Sequence, residues 1–226
     1  NAVPPILAYY LSTLVKPHLK GLNFVDLFAG CGGLSEGFLM NGFNLLAANE
    51  FDKNIFLTNK FNHSKYANEN NFILGDITKE ETKQQIFNCC KGKEVDIILG
   101  GPPCQGFSYA GWRNPNDSRN QLFRDFVSIV TELKPQMFIM ENVPGILTMR
   151  NGAAIKEIIK AFAEIGYLVN TPLKINAADY GVPQRRKRVF LIGSKNGVDI
   201  QPTPLFRENK PKKSKIATLF PLEEEL

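Results

Sequence analysis

Short apolar runs alternate along this chain with segments whose apolar positions recur at three- and four-residue spacing. The runs Asn23 to Phe28, Leu45 to Asn49, Phe72 to Leu74, Val95 to Leu99 and Met137 to Met140 show little polar alternation, the pattern of strands buried on both faces. Between them Leu34 to Met40, Lys53 to Phe61, Lys79 to Cys90, Gln121 to Leu133 and Ala153 to Ile165 carry the helical period. Strand and helix in turn predict βαβ units, hence an α/β fold built on a mostly parallel, doubly wound sheet. Two more strand-like runs, Leu168 to Ile175 and Arg188 to Gly193, follow with no helix between them and are expected to form an antiparallel edge pair. Residues 194–215, rich in Lys, Pro and Asn, read as a surface tail or linker. No internal repeat interrupts this order.

The chain has 226 residues, 43% of them hydrophobic and 22% charged, which is enough for one well-packed domain. It contains no run of ~18 apolar residues and opens with no signal-peptide pattern, so a soluble, cytoplasmic protein is expected. Its four cysteines, Cys31, Cys89, Cys90 and Cys104, have neither zinc-ligand spacing nor disulfide-scaffold density, and no metal is expected. A balance of 27 Lys and Arg against 22 Asp and Glu leaves +5, mild but compatible with a polyanionic partner. That charge gathers in Arg185-Arg186-Lys187-Arg188 and from Lys210 to Lys215, whereas Glu223 to Glu225 are acidic.

In a parallel sheet, ligands bind beyond the carboxyl ends of the strands, so the residues just after each strand are the candidates. After the first strand, Phe28-Ala29-Gly30-Cys31-Gly32-Gly33 is a glycine-rich turn opening a helix, suited to close approach of a nucleotide-like ligand. After the second, Asn49-Glu50-Phe51 offers a carboxylate for a ribose diol and a ring for a base. After the third come Asp76, suited to accept from an adenine amino group or to cap a helix, and Ile77. After the fourth, Gly100-Gly101-Pro102-Pro103-Cys104 delivers one cysteine into a glycine-rich loop along a proline-restricted path. After the fifth, Glu141-Asn142-Val143 puts a carboxylate on the strand expected beside the fourth. A thiolate adding to an electron-poor ring needs such an acid within reach.

In this order and spacing the segments resemble the cytosine carbon-5 DNA methyltransferases. Asn23-Phe24-Val25-Asp26-Leu27-Phe28-Ala29-Gly30-Cys31-Gly32-Gly33 is similar to the family's first motif, and Gly101 to Ser108 to its nucleophile motif. Glu141-Asn142-Val143 is similar to the acidic motif, and Gln184-Arg185-Arg186-Lys187-Arg188 to the basic one. The resemblance, from about Leu22 to Gly193, implies a Rossmann-like methyltransferase fold using S-adenosyl-L-methionine, with duplex DNA as partner. It implies cofactor contacts at Phe28, Ala29, Gly30, Gly32, Gly33, Asn49, Glu50, Phe51, Asp76, Ile77 and Pro103. It implies Cys104 as nucleophile, Glu141 as its acidic partner, and Arg186 and Arg188 as positioning groups. DNA contacts fall to Gln105, Ser108, Arg113 and Asn142, with the target base flipped from the duplex.

One departure stands out. Asn1-Ala2-Val3-Pro4-Pro5-Ile6-Leu7-Ala8 resembles the family's last motif, yet it precedes the first. Its helix, roughly Pro5 to Val15, is expected beside the cofactor cleft, with Asn1 and Ala2 at the methionine part. The expected layout is therefore a helix in 1–20 packed on a catalytic domain in 21–195, followed by a tail in 196–226. Nothing resembles a target-recognition region, so the chain reads as a circularly permuted or split catalytic half whose recognition lies on another subunit or segment. A restriction-modification role in a prokaryotic, nucleoid-associated setting follows from family habit. An RNA cytosine methyltransferase and a non-catalytic DNA-binding subunit stand as alternatives.

Overall fold

The architecture comes from a computed structural model that describes residues 3–103 and 122–206. Strands β1 (Asn23–Leu27), β2 (Asn44–Glu50), β3 (Phe72–Leu74), β4 (Ile97–Gly100) and β5 (Met137–Asn142) are mutually parallel in the order β3-β2-β1-β4-β5. Helices α2 (Gly33–Met40), α3 (Lys53–His63), α4 (Glu80–Cys90), α5 (Leu122–Leu133) and α6 (Ala153–Glu164) connect or follow them. Within a strand, successive side chains go to opposite cores. Ile97, Leu99, Met137 and Ile139 join Phe24 under α1 (Pro5–Val15) and α2, while Ile98, Phe138 and Met140 join Val25 and Leu27 under α4, α5 and α6. Both faces are covered, which is why these strands read as unbroken apolar runs. Helix α1 lies so close to α2 that a methyl group at Gly37 would fall 2.3 Å from the Tyr9 amide nitrogen. The expected docking of the amino-terminal helix on the catalytic body rests on that contact.

The antiparallel part differs from expectation in one respect. The run 168–175 breaks at Pro172, which has no N–H for the ladder, into β6 (Leu168–Val169) and β7 (Leu173–Asn176). Both pair with β8 (Lys187–Ser194), and β8 also pairs antiparallel with β5, with Glu141 opposite Phe190. β8 is thus interior, and its basic amino-terminal end is drawn to the acidic end of β5. A second correction concerns the expected tail. Ile200 is buried in the core, the Tyr10 hydroxyl donates to the Thr203 carbonyl at 2.8 Å and accepts from its N–H at 2.9 Å, and Leu205 and Phe206 both donate N–H to the Asp179 carbonyl. Residues 198–206 are therefore tied to the domain by Ile200 and these hydrogen bonds, with Leu205 and Phe206 left exposed.

At the amino-terminal edge of the sheet, buried Asp96 accepts from the Gly21 N–H (3.0 Å), the Asn23 N–H (2.8 Å) and the Gln136 side-chain amide (2.7 Å). These charge-assisted bonds join the starts of β1, β4 and β5. With the starts aligned, the carboxyl ends of the three strands meet at one edge, where the candidate chemistry sits.

Candidate active site

The turn after β1 is left-handed at three of its residues: Phe28 (φ 55), Gly30 (φ 59) and Gly32 (φ 84). Phe28 pays a steric penalty there that glycine would not. Side chains hold the turn in place. Glu50 Oε2 accepts from the Gly30 N–H at 2.9 Å, while Oε1 accepts from the Phe51 and Asp52 N–H groups. Three of the roughly four acceptor positions of this carboxylate are thus in use, leaving one lone pair for a ligand hydroxyl. Asn49 is buried and spends both amide hydrogens on the Ile73 and Gly75 carbonyls, so it braces β2 against β3. Asp76 Oδ1 accepts from the Thr78 N–H and hydroxyl; among the described residues no hydrogen bond uses Oδ2.

These strand ends surround a cleft of about 450 Å³, lined by Phe28, Asn49, Glu50, Phe51, Asp76, Ile77 and Pro103. The strand-end reading therefore brings together seven of its cofactor candidates. It missed Gly75, Thr78, Gly101 and Leu122, which also line the cleft. The first three lie next to predicted residues or in the segment that holds one; Leu122 starts α5 and carries no signal of its own. A second cavity of about 420 Å³ flanks the same turn, with Val3, Pro4 and Pro5 facing Cys31, Gly32 and Gly33. Ala29 takes part through its backbone, its N–H donating to the Asn49 carbonyl. Glu36 and His63 on this second wall were not singled out, because the pattern of their helices reads as ordinary core packing.

Beyond β4 and β5 lies a charged cluster. Arg188 Nε is 2.7 Å from Glu141 Oε1, both side chains being largely buried. Burial pushes the Glu141 carboxyl above its ordinary range, opposed by the positive charges of Arg188 and Arg186 and the hydrogen bond from Arg188. Arg186 is anchored through its backbone, its N–H donating to Asn176 Oδ1 and its carbonyl accepting from the Ala177 N–H. Its guanidinium carries two buried nitrogens, Nε and Nη2, with no hydrogen-bond partner among the described residues. A buried donor left open is costly unless something fills it. Asn142 is buried and donates to the Pro102 carbonyl at 3.1 Å, a bracing role distinct from the DNA contact expected of it. A methyl group at Gly101 would sit 3.0 Å from Glu141 Oε2. The segment leading to Cys104 therefore runs directly past the carboxylate. Cys104, Gln105, Ser108, Arg113, Asn1 and Ala2 lie outside the described residues.

Asp26, two residues before the turn, is fully buried, and its Oδ2 accepts from the Ser35 hydroxyl at 2.6 Å. Burial lifts its carboxyl from the ordinary 3.8 to about 7 despite that bond. A raised folded-state pKa means that the native chain binds the extra proton, so stability is present at low pH and is lost as pH rises from about 4 through about 7. Chemical denaturation should show wild-type stability dropping by about 2–3 kcal/mol between pH 5 and 8, and the Asp26→Asn variant should flatten that slope. An equal slope in the variant would sink the assignment.

Among the described residues no group of three or more His, Cys, Asp or Glu could hold a metal ion, and no helix is long and apolar enough to cross a membrane. Residues 22–225 match the family described as C-5 cytosine-specific DNA methylase. The chain is 44% identical over 181 residues to the type II methyltransferase M.XorII of Xanthomonas oryzae pv. oryzae, covering 80% of this chain and 42% of that protein. Similarity to M.NgoPII of Neisseria gonorrhoeae is also 44%, over 80% and 50%. The M.AquIA methyltransferase of Picosynechococcus is 38% identical over 79% of this chain and 74% of its own length. The chain thus spans half or less of the length of the first two relatives. Among solved structures, a prophage-encoded E. coli protein assigned as a DNA modification methyltransferase superposes with a TM-score of 0.66 at 36% identity, over 80% of this chain and 49% of that one. Magnesium protoporphyrin IX methyltransferase of Synechocystis, solved with bound S-adenosylmethionine, shares the fold with a TM-score of 0.52 at 13% identity, over 84% and 77%.

Proposed function

The chain belongs to the C-5 cytosine-specific DNA methylase family, and on that premise we propose that it is the catalytic part of a DNA (cytosine-5-)-methyltransferase. The reaction moves a methyl group from S-adenosylmethionine to carbon-5 of a cytosine flipped out of duplex DNA. The observation that carries this reading is that Glu141, paired with Arg188 and acted on by the charge of Arg186, lies against Gly101 at the start of the segment that leads into Cys104.

The cleft fits the cofactor by its hydrogen-bond acceptors and apolar surface. A ribose diol meets the remaining acceptor capacity of Glu50, an adenine amino group meets Asp76 Oδ2, and Phe28, Phe51 and Ile77 offer apolar surface to the ring. Gly32 and Gly33, with Val3–Pro5 across the second cavity, would hold the methionine end. Bound there, S-adenosylmethionine supplies an electrophilic methyl group. The chain's own residues make the ring receptive. The Cys104 thiolate forms a bond to carbon-6, and Glu141 shares a proton with the ring nitrogen and accepts from the exocyclic amine, so that electron density collects at carbon-5. After methylation a base takes the carbon-5 proton and the bond from carbon-6 to sulfur breaks, returning the thiolate. Arg188 holds Glu141, and the open nitrogens of Arg186 meet acceptors on the substrate base.

Phosphate contacts position whereas base contacts specify. Target choice is therefore assigned to a recognition subunit or segment beyond this catalytic part, and the setting is cytoplasmic, where microbial DNA lies. The test is labelled methyl transfer from S-adenosylmethionine to mixed-sequence duplex DNA, alongside covalent trapping on a 5-fluorocytosine duplex. Incorporation and a denaturation-stable adduct are expected. Labelling of tRNA in place of the duplex would overturn the DNA assignment, and cofactor binding with no adduct would leave a binding subunit.

A further inference from the structure

Helix α3 carries two polar side chains that the reaction above does not use. Asn59 and His63 are each about 1% exposed. Burying polar groups is unfavourable unless they find partners, and here Asn59 finds one on the glycine turn while His63 finds its own on Asn59. Asn59 Nδ2 donates to the Gly30 carbonyl at 3.0 Å. Gly30 is thereby held at both ends of its backbone, its N–H by Glu50 Oε2 and its carbonyl by Asn59. With Nδ2 committed, Asn59 Oδ1 faces His63 Nδ1 at 2.8 Å, and the Asn59 backbone carbonyl lies 2.9 Å from the same nitrogen. Both neighbours are acceptors, so Nδ1 carries the hydrogen. His63 Nε2 lies 2.9 Å from Glu36 Oε2 on α2, out of hydrogen-bond alignment. The ring also limits the turn sterically. A methyl group at Gly32 would fall 2.2 Å from His63 Cε1, so the imidazole fills the space that a side chain at that left-handed position would take.

We infer that Asn59 and His63 are positioning residues for the cofactor, forming a second anchor that holds the Gly30–Gly33 turn from the α3 side as Glu50 holds it from β2. Asn59 touches the turn; His63 fixes the orientation of the Asn59 amide and closes the gap behind Gly32. Loss of either lets the turn relax, so that cofactor affinity falls while the chemistry at Glu141 and Arg188, on strands across the sheet, is left as it was. The inference rests on reading Phe28–Gly33 as the cofactor turn.

The experiment is calorimetric titration of S-adenosylmethionine into the 226-residue chain, with steady-state kinetics where turnover is measurable. Asn59→Ala should weaken Kd by about 10- to 100-fold, since it strands a buried carbonyl. His63→Phe, similar in size but without nitrogens, should weaken it by about tenfold, and His63→Gln, which keeps a donor toward Asn59, should recover part of that loss. The change should appear in KM for the cofactor, with kcat at saturation within about twofold. Tyr167→Phe is the control for general destabilisation, because it removes a buried bond to the Pro135 carbonyl (2.6 Å) at the far edge of the sheet. It should lower Tm without moving Kd. Asn59→Ser is the milder variant if the alanine form does not fold. Unchanged Kd in the Asn59 and His63 variants, or an equal change in Tyr167→Phe, overturns the inference while leaving the cofactor reading intact. No binding by the wild-type chain overturns both.

Discussion

Methyl transfer by the Cys104→Ser variant is expected to fall at least about 10³-fold below wild type, with S-adenosylmethionine still bound. A thiol is partly ionised near neutral pH and its thiolate is a strong nucleophile, whereas an alcohol at the same place stays protonated and attacks carbon-6 poorly. The approach to position 104 is held independently of that side chain. β4 ends at Gly100, Pro102 and Pro103 restrict φ, and Asn142 binds the Pro102 carbonyl. Substitution of sulfur by oxygen should therefore act on the chemistry and spare the cofactor cleft. Methyl transfer and cofactor binding measured on the same preparation check this. Residual activity within tenfold of wild type would remove Cys104 from the nucleophile's place. Cys31 is exposed beside the second cavity, and Cys31→Ser is expected to retain the transfer.

Glu141→Gln is expected to reduce methyl transfer by about 10²- to 10⁴-fold, the usual contribution of a positioned acid or base. The amide preserves shape, but it can neither share a proton with the ring nitrogen nor balance Arg188 at 2.7 Å. Burial raises the Glu141 pKa against the pull of Arg188 and Arg186. The carboxyl thus keeps its proton to higher pH than an exposed glutamate and loses it as pH rises through that raised value. Wild-type rate should accordingly decline on the alkaline side of the Glu141 titration. That limb should be absent from the Gln variant, whose side chain does not titrate. A pH–rate profile with the same alkaline limb in both proteins would assign the proton to another group.

The strand ends were legible because the fold class constrains them. A buried parallel strand must be an apolar run, and the residue that ends it must face the open edge where ligands bind. Phe28, Glu50, Asp76 and Glu141 were named on that rule, and each lies at or just beyond the end of its strand. Other features were hidden for identifiable reasons. Position alone names Asn49 and Asn142 as candidates, and it does not show that each is buried with its amide donating to a backbone carbonyl. Asn59 and His63 carry no signal at all, since one buried polar side chain per helical turn is indistinguishable in sequence from any other. The split of the run 168–175 turns on one proline, and the packing of residues 198–206 depends on partners, Tyr10 and Asp179, far away in the chain.

The sequence by itself determined the α/β class, the order of the elements, the glycine turn, the proline-restricted approach to Cys104 and the carboxylate at the next strand end. These depend on local periodicity, on φ restriction and on residue chemistry, all of which act over a few positions. Only the tertiary structure decided that β8 would lie between β5 and the β6 and β7 edge, bringing Arg188 to Glu141, and that two buried nitrogens of Arg186 would have no partner among the described residues. It alone decided that α3 would reach back to clamp Gly30 from the side opposite Glu50. The reason is that strand order, the burial of a polar group and the partner it meets are set by packing between segments distant in the chain, and no spacing within one segment records them.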